Sequence, residues 1–335
     1  MSFGTADQPL AVVDVCALVY DRDCWAAYLG RLGADAPAYL RVFAAAFCRY
    51  FSVSAADYLD SLDEHGPAAA VAKLVASVPE RVDVASHLAE METQGVVHEV
   101  AHGWPGRLSD GDTINDRVAA LADASGGRIQ AWAGVSLRDP DEAAAEIRRC
   151  QRAGVRGVCA APFLDGVDAA DPARDRIFSV AEELGLPFWI HTGNHFVADR
   201  PLDLFDWRHL DRIAGRHPDL TVVAGHGGWP WVRELVTVMR RHRRVYLEFS
   251  SHRPRHLGRP GAGWEPLLLY GRGPVRDRVM FGSCTWVQPV PVSVLAREVA
   301  ELGLGAEVTS DWLAGNAARL LGLPQLVPAQ PVRSA

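Results

Sequence analysis

Residues 220–231, LTVVAGHGGWPW, decide how the rest of the chain is read. Residues 220–224 form a continuous apolar run, rich in β-branched side chains and bounded by Pro218 and a Gly-Gly pair. That is the pattern of a parallel strand covered on both faces. The strand delivers His226 into a glycine turn just past its carboxyl end, with Trp229 and Trp231 following. In α/β sheets, open or closed, the ligand site lies beyond the carboxyl ends of the strands. One histidine there is a weak signal by itself, so its weight depends on what other strands place at the same end.

Similar runs recur on both sides. Residues 10–15 end in Cys16-Ala17-Leu18, 96–101 in His102-Gly103-Trp104-Pro105, and 155–161 in Pro162-Phe163. Residues 186–190 end in His191-Thr192-Gly193-Asn194-His195, 245–249 in Ser250-Ser251-His252, and 279–281 in Gly282-Ser283-Cys284. With 129–137 and 220–224 these make eight strands separated by helical segments, one of which opens with the capping sequence Asp139-Pro140-Asp141-Glu142. The pattern predicts an α/β protein, a (β/α)8 TIM barrel forming a single domain over residues 1–323. A doubly wound open sheet is the competing fold, but no GxGxxG follows the first strand. Residues 24–90 are too long for an ordinary βα loop and predict a helical insertion after strand 1. Within it PAYLRVFAAAFCRYF, residues 37–51, has apolar residues at helical spacing. The insertion reads either as a cap, with Arg49, Tyr50 or Phe51 reaching a ligand, or as ordinary packing helices. The proline-rich tail, 324–335, reads as extended or disordered.

Composition narrows the function. The chain has 335 residues, 49% hydrophobic and 22% charged, and a net charge of -7 with its basic residues scattered. That excludes the concentrated basic footprint of a nucleic-acid binder and leaves a small molecule as the expected partner. No apolar run approaches the roughly 20 residues of a membrane span, and the first ten residues lack the pattern of a signal peptide, so a cytoplasmic protein is expected. The six cysteines, Cys16, Cys24, Cys48, Cys150, Cys159 and Cys284, show no CxxC pairing and no disulfide framework.

In a barrel the strand ends converge on one bowl, which brings together His102, His191, His226, His252, Cys284 and Cys16. Several stretches then resemble a known family: ELGLPFWIHTG (183–193), HPDLTVVAGHGGWPWVREL (217–235), VYLEFSSHRP (245–254), DRVMFGSCTW (277–286) and GNAARLLGL (315–323). The resemblance is to the amidohydrolase-related (amidohydrolase 2) family of the metal-dependent hydrolase superfamily, in the branch of aminocarboxymuconate-semialdehyde decarboxylase and the resorcylate-type decarboxylases. It implies a (β/α)8 barrel and, since family members are often dimers, a homodimer. It also implies a divalent metal held by an HxH pair after strand one, a histidine after strand five and an aspartate after strand eight, with a further histidine after strand six. His191 matches the strand-five ligand and His226 the strand-six histidine. Cys16-Ala17-Leu18 stands where HxH belongs, and Gly282-Ser283-Cys284 where the family writes GSD.

Residues i and i+2 at a strand end point to the same side, and Leu18 offers no donor atom there. Two readings stay open. One is a pocket with no metal or other cofactor, the cysteines packing as small hydrophobes. The other is a rebuilt zinc site in which Cys16, His191, His226 and Cys284 are the ligands. Without a metal-activated water, hydrolysis is the reaction most damaged. The expected activity is therefore of the lyase or decarboxylase, isomerase or cyclase type, on a small aromatic or unsaturated acid or a polyketide-like metabolite. His226 is the expected acid/base and His191 its partner. His102, Trp104, Trp132, Phe163, Trp229, Glu248, His252 and Trp286 are expected to contact substrate. The zinc-dependent hydrolase or decarboxylase, a Cys284 nucleophile and a catalytically inactive binding protein are the alternatives.

Overall fold

A computed structural model describes residues 10–323; the first nine residues and the tail read as extended or disordered lie outside them. Eight parallel strands pair in sequence order. They are β1 (Val12–Ala17), β2 (Val96–His102), β3 (Ile129–Gly134), β4 (Gly157–Ala160), β5 (Phe188–His191), β6 (Val222–Gly225), β7 (Val245–Glu248) and β8 (Val279–Met280). Every connection carries helix, which parallel neighbours require, and the result is a nearly closed (β/α)8 barrel. The seam between β8 and β1 is held by Val15 N–H donating to Phe281 O at 3.1 Å and Cys284 N–H donating to Cys16 O at 3.0 Å. The buried Asp14 carboxylate reinforces it, accepting from Cys16 N at 3.1 Å and Ser283 N at 2.9 Å. Burial, with Glu99 adding to it, pushes the Asp14 carboxyl up to about 7 against these hydrogen bonds.

The strand limits differ from the apolar runs in an instructive way. Strand β1 takes in Cys16 and Ala17, and β3 stops at Gly134 although the apolar run continues to Leu137. The Asn115 side chain takes over at Gly134, accepting from its N–H at 2.8 Å and donating to its C=O at 3.0 Å. Hydropathy records burial; the ladder ends where a side chain replaces the partner strand.

Five helices separate β1 from β2: α1 (Arg22–Asp35), α2 (Ala38–Val42), α3 (Ala44–Tyr50), α4 (Ala55–Val75) and α5 (Val84–Gln94). Asp21 caps α1 by accepting from Cys24 N at 2.9 Å, and the helix buries Trp25, Leu29 and Leu32. Tyr39, Phe43 and Phe47 recur every four residues through α2 and α3, which puts them on one face. Among the described residues no helix is long and apolar enough to cross a membrane.

Strand β8 is only two residues long and is pinned from below by Asn316, which is fully buried. Its amide donates to Val279 O and Arg276 O, both at 2.7 Å. Asn316→Ala leaves both carbonyls without this donor and is expected to cost about 1–3 kcal/mol, read as a lower urea midpoint at unchanged m-value.

Candidate active site

The strand carboxyl ends converge on a cavity of about 290 Å³. His102, Trp104, Phe163, His191, Trp229, His252 and Trp286 line it together with His226. Cys16 and Leu18 line it too, as their i, i+2 spacing requires. Two expected contacts do not reach it. Trp132 is fully buried beneath the floor, stacked on His102 with centroids 5.8 Å apart and planes at 4°. Glu248 is fully buried behind the histidines.

The insertion covers the bowl with Tyr28 and Leu32 of α1 and with the Tyr39, Phe43 and Phe47 stripe. Arg49, Tyr50 and Phe51 do not line the cavity: Arg49 is exposed, while Tyr50 and Phe51 pack on Trp25 at 5.5 and 5.1 Å. The four-residue repeat Tyr39, Phe43, Phe47 was the available signal for the cap's inner face. Asn194 and Ser251 also line the cavity; as short polar residues in loops they carry no periodic signal.

His226 is held by a hydrogen-bond network that assigns its tautomer. Its Nδ1 lies 2.8 Å from Ser250 Oγ and 3.2 Å from Ser251 Oγ. Each hydroxyl spends its proton elsewhere: Ser250 donates to Glu248 Oε1 at 3.0 Å, and Ser251 donates to Cys284 Sγ at 3.1 Å. Both must therefore accept from His226 Nδ1–H, which leaves the lone pair on Nε2, on the side of the ring away from the network. Glu248 also accepts from His226 N at 2.8 Å, Ser250 N at 2.7 Å and Trp189 Nε1 at 3.0 Å. Strand alternation carries no signal of this network, since it is compatible with Glu248 facing either way.

Backbone strain gathers here. His226, Ser251 and Cys284, which follow β6, β7 and β8, have φ of 62°, 63° and 50°, and Ser52 is the only other non-glycine residue with positive φ among those described. Such conformations are unfavourable for residues with a Cβ and persist where the surroundings over-determine them. The three lie together at adjacent strand ends and all line the cavity.

The histidines are uncharged at neutral pH. Burial lowers His226 to about 4 and His102 and His252 to about 3, and holds His191 well below the ordinary range. His226 adds to the effect on the other three, since a charge on it opposes a second one nearby. His102 Nε2–H donates to Val15 O at 2.9 Å. The His191 ring stands edge-on to His226, with centroids 4.9 Å apart.

The amidohydrolase family model matches residues 23–323. The chain belongs to the amidohydrolase family. No curated protein matches it. Among solved structures, an uncharacterised TIM-barrel protein from Bordetella bronchiseptica is 21% identical, covers 93% of this chain and 99% of its own, and has a TM-score of 0.67. The 5-carboxyvanillate decarboxylase of Sphingomonas paucimobilis is 17% identical, covering 94% and 100% of the two chains with a TM-score of 0.62. That of Novosphingobium aromaticivorans, complexed with manganese and 4-hydroxy-3-methoxy-5-nitrobenzoic acid, is 18% identical, covering 94% and 96% with a TM-score of 0.59. At these identities the likeness shows the fold.

The expectation of a family member with no cofactor, or with zinc as the alternative, is corrected by the Novosphingobium enzyme, which was solved with manganese. Manganese prefers oxygen and imidazole ligands, whereas the ends of β1 and β8 offer Leu18, with no donor, and the soft thiols of Cys16 and Cys284. Burial, and next the hydrogen bond with Cys284, raise the Cys16 thiol well above its ordinary value, opposing the thiolate a metal requires. His226 Nδ1 is taken by the two serines. Among the described residues no group of three or more His, Cys, Asp or Glu side chains is placed to hold a metal ion, which includes the Cys16, His191, His226, Cys284 set. The residues present do not fit the ion, and no chemical step is derived through it.

Stability should follow pH through the buried histidines. The folded values of His102, His226 and His252, about 3 to 4, lie below the ordinary 6.5, so as pH falls protons bind the unfolded chain first. The stability carried by the neutral rings is complete above about pH 6.5 and is lost as pH drops through that value towards 4. Asp14, raised from 3.8 to about 7, works in the opposite sense and offsets one histidine. With His191 and His98 held down as well, the net is more than two protons and predicts a loss of at least about 3 kcal/mol per pH unit in that window, measured by urea unfolding. Stability that stays flat between pH 6.5 and 5 contradicts the neutral-histidine site.

Proposed function

We propose that this chain is a non-redox enzyme of the lyase or decarboxylase, isomerase or cyclase type. Its substrate is a small aromatic or unsaturated acid or a polyketide-like metabolite, and His226 Nε2 is the acid/base. The observation that carries this reading is the fixed tautomer: Nδ1–H is spent on Ser250 and Ser251, and the ring itself lines the cavity. The family membership and the decarboxylases of the same fold are in keeping with it.

An uncharged imidazole takes a proton before it can give one. His226 Nε2 accepts a proton from an acidic O–H or C–H of the substrate, and the positive charge that develops is met through Ser250 by the Glu248 carboxylate. The same proton is then returned to a neighbouring carbon, so the cycle moves one proton and needs no redox partner. His191, edge-on to His226, holds the substrate oxygen from which or towards which electrons shift. The aromatic walls keep water from the protonated intermediate and fix the substrate plane. Ser250, Ser251 and Glu248 are positioning residues that act through His226.

The test is a turnover screen over 2,6-dihydroxybenzoate, 5-carboxyvanillate and an uncharged poly-β-ketone, followed by ultraviolet absorbance and carbon dioxide release. Any activity found is expected to fall about 10²- to 10⁴-fold in His226→Asn with an unchanged circular dichroism spectrum. Ser250→Ala, which breaks the link to Glu248, is expected to lower kcat about tenfold and to shift the acid limb of the pH–rate profile, with KM little changed. Turnover that survives His226→Asn at full rate overturns the reading, as does a protein that turns over none of the panel.

A further inference from the structure

The cavity is lined without a single charged side chain: none of the residues that form it is Asp, Glu, Lys or Arg. Its polar members are four neutral histidines, three thiols, two phenols, Thr192, Asn194 and Ser251. Several of these are already committed, Thr192 Oγ1 donating to Gly225 O at 2.6 Å and Tyr39 OH accepting from Phe196 N at 3.3 Å. The nearby ions are turned away. Arg31, beside Trp104, is paired with Asp35 at 3.0 Å and Asp165 at 2.9 Å, and Arg200 donates to Phe163 O. Glu248 has its oxygens filled by four protein donors.

What the cavity does offer is flat apolar surface and dipoles. Tyr39 and Phe163 stack at 5.3 Å with planes 19° apart, and Phe43, Phe47, Trp229 and Trp286 complete the walls. Trp104 adds its ring to the same wall. A carboxylate entering this space would lose its water and meet no cation, whereas an uncharged ring would exchange water for aromatic contact.

We infer that the site selects an uncharged planar molecule, a phenol or ketone of aromatic or polyenic type, and rejects the corresponding carboxylate anion. This rests on the cavity being the active site proposed above and narrows its reactions: isomerisation and ring closure act on neutral ketones and phenols, whereas decarboxylation requires the anion to bind. The selection itself does not depend on turnover.

The experiment compares 2-naphthol with 2-naphthoate at neutral pH, by calorimetry and by quenching of tryptophan fluorescence in the whole protein. The naphthol is expected to bind saturably and at least about tenfold more tightly than the naphthoate. The same ratio is expected in His226→Asn, which keeps the lining neutral, so charge selection and the acid/base role fail separately. Leu18→Arg, or Leu164→Lys if the first does not fold, places a cation on the wall and is expected to bring the ratio to one or below. Naphthoate binding as tightly as naphthol, absence of saturable naphthol binding, or a ratio that neither cation moves in folded protein overturns the inference. So does a ratio that inverts when manganese chloride is added, because the ion would then supply the charge that the side chains lack.

Discussion

The arrangement of the site depends on one buried carboxylate. Glu248 is fully enclosed, and burial raises its pKa while four hydrogen bonds from Trp189, His226 and Ser250 pull it back. A carboxylate in that position is tolerable only because its lone pairs are filled by protein donors. Those donors come from β5, from the turn after β6 and from the residue two beyond Glu248 itself, so satisfying one charge fixes the ends of three adjacent strands. The neighbouring strand must yield room. A Cβ on Gly282 would stand 2.6 Å from Glu248 Oε2 and 2.8 Å from Cys16 Cβ. At Gly225 a Cβ would run into the Trp189 indole that donates to the same carboxylate. Both glycines are there for close approach, and the chemistry one layer up follows from them.

The second constraint is the lid. Tyr28, Leu32, Tyr39, Phe43 and Phe47 close an apolar cap over strand ends that carry four histidines. Low polarity on one side makes every charge on the other side costly, which is why the histidines are neutral and why the orienting hydrogen bonds count for more than they would in water. The positive φ angles of His226, Ser251 and Cys284 fall on the same rim, and all three residues line the cavity.

Much of this was legible in the sequence, for identifiable reasons. Strands buried on both faces write themselves as continuous apolar runs, so the barrel and the histidines at or just past the ends of β2, β5, β6 and β7 could be read directly. The i, i+2 rule placed Cys16 and Leu18 together on the cavity wall. Other features left no trace in any period. Glu248 alternates correctly for either direction, and only the four donors around it decide the matter. Ser250 and Ser251 are ordinary loop residues until the protons of their hydroxyls are assigned. Trp132 looked like a wall because it sits near a strand end, but it lies beneath His102 as support. The cofactor could not be settled from missing ligands, since a donor pattern describes one known site and says nothing of the metal that relatives of the same fold bind.

Four neutral imidazoles in one bowl also limit how protons move there. His226 contributes to depressing His102, His191 and His252, and its own ring is 4.9 Å from His191. Once one of them is protonated, the next protonation has to overcome both burial and a like charge across a medium that screens poorly. The site therefore holds one proton at a time. His226 is the ring with a carboxylate at hand: a Glu248 oxygen lies 3.7 Å from its Nδ1 and is linked to it through Ser250, a position that favours a proton there. His191 has no such counter-charge. A proton gained in the bowl is thus favoured on His226, the ring that Ser250 links to a buried carboxylate.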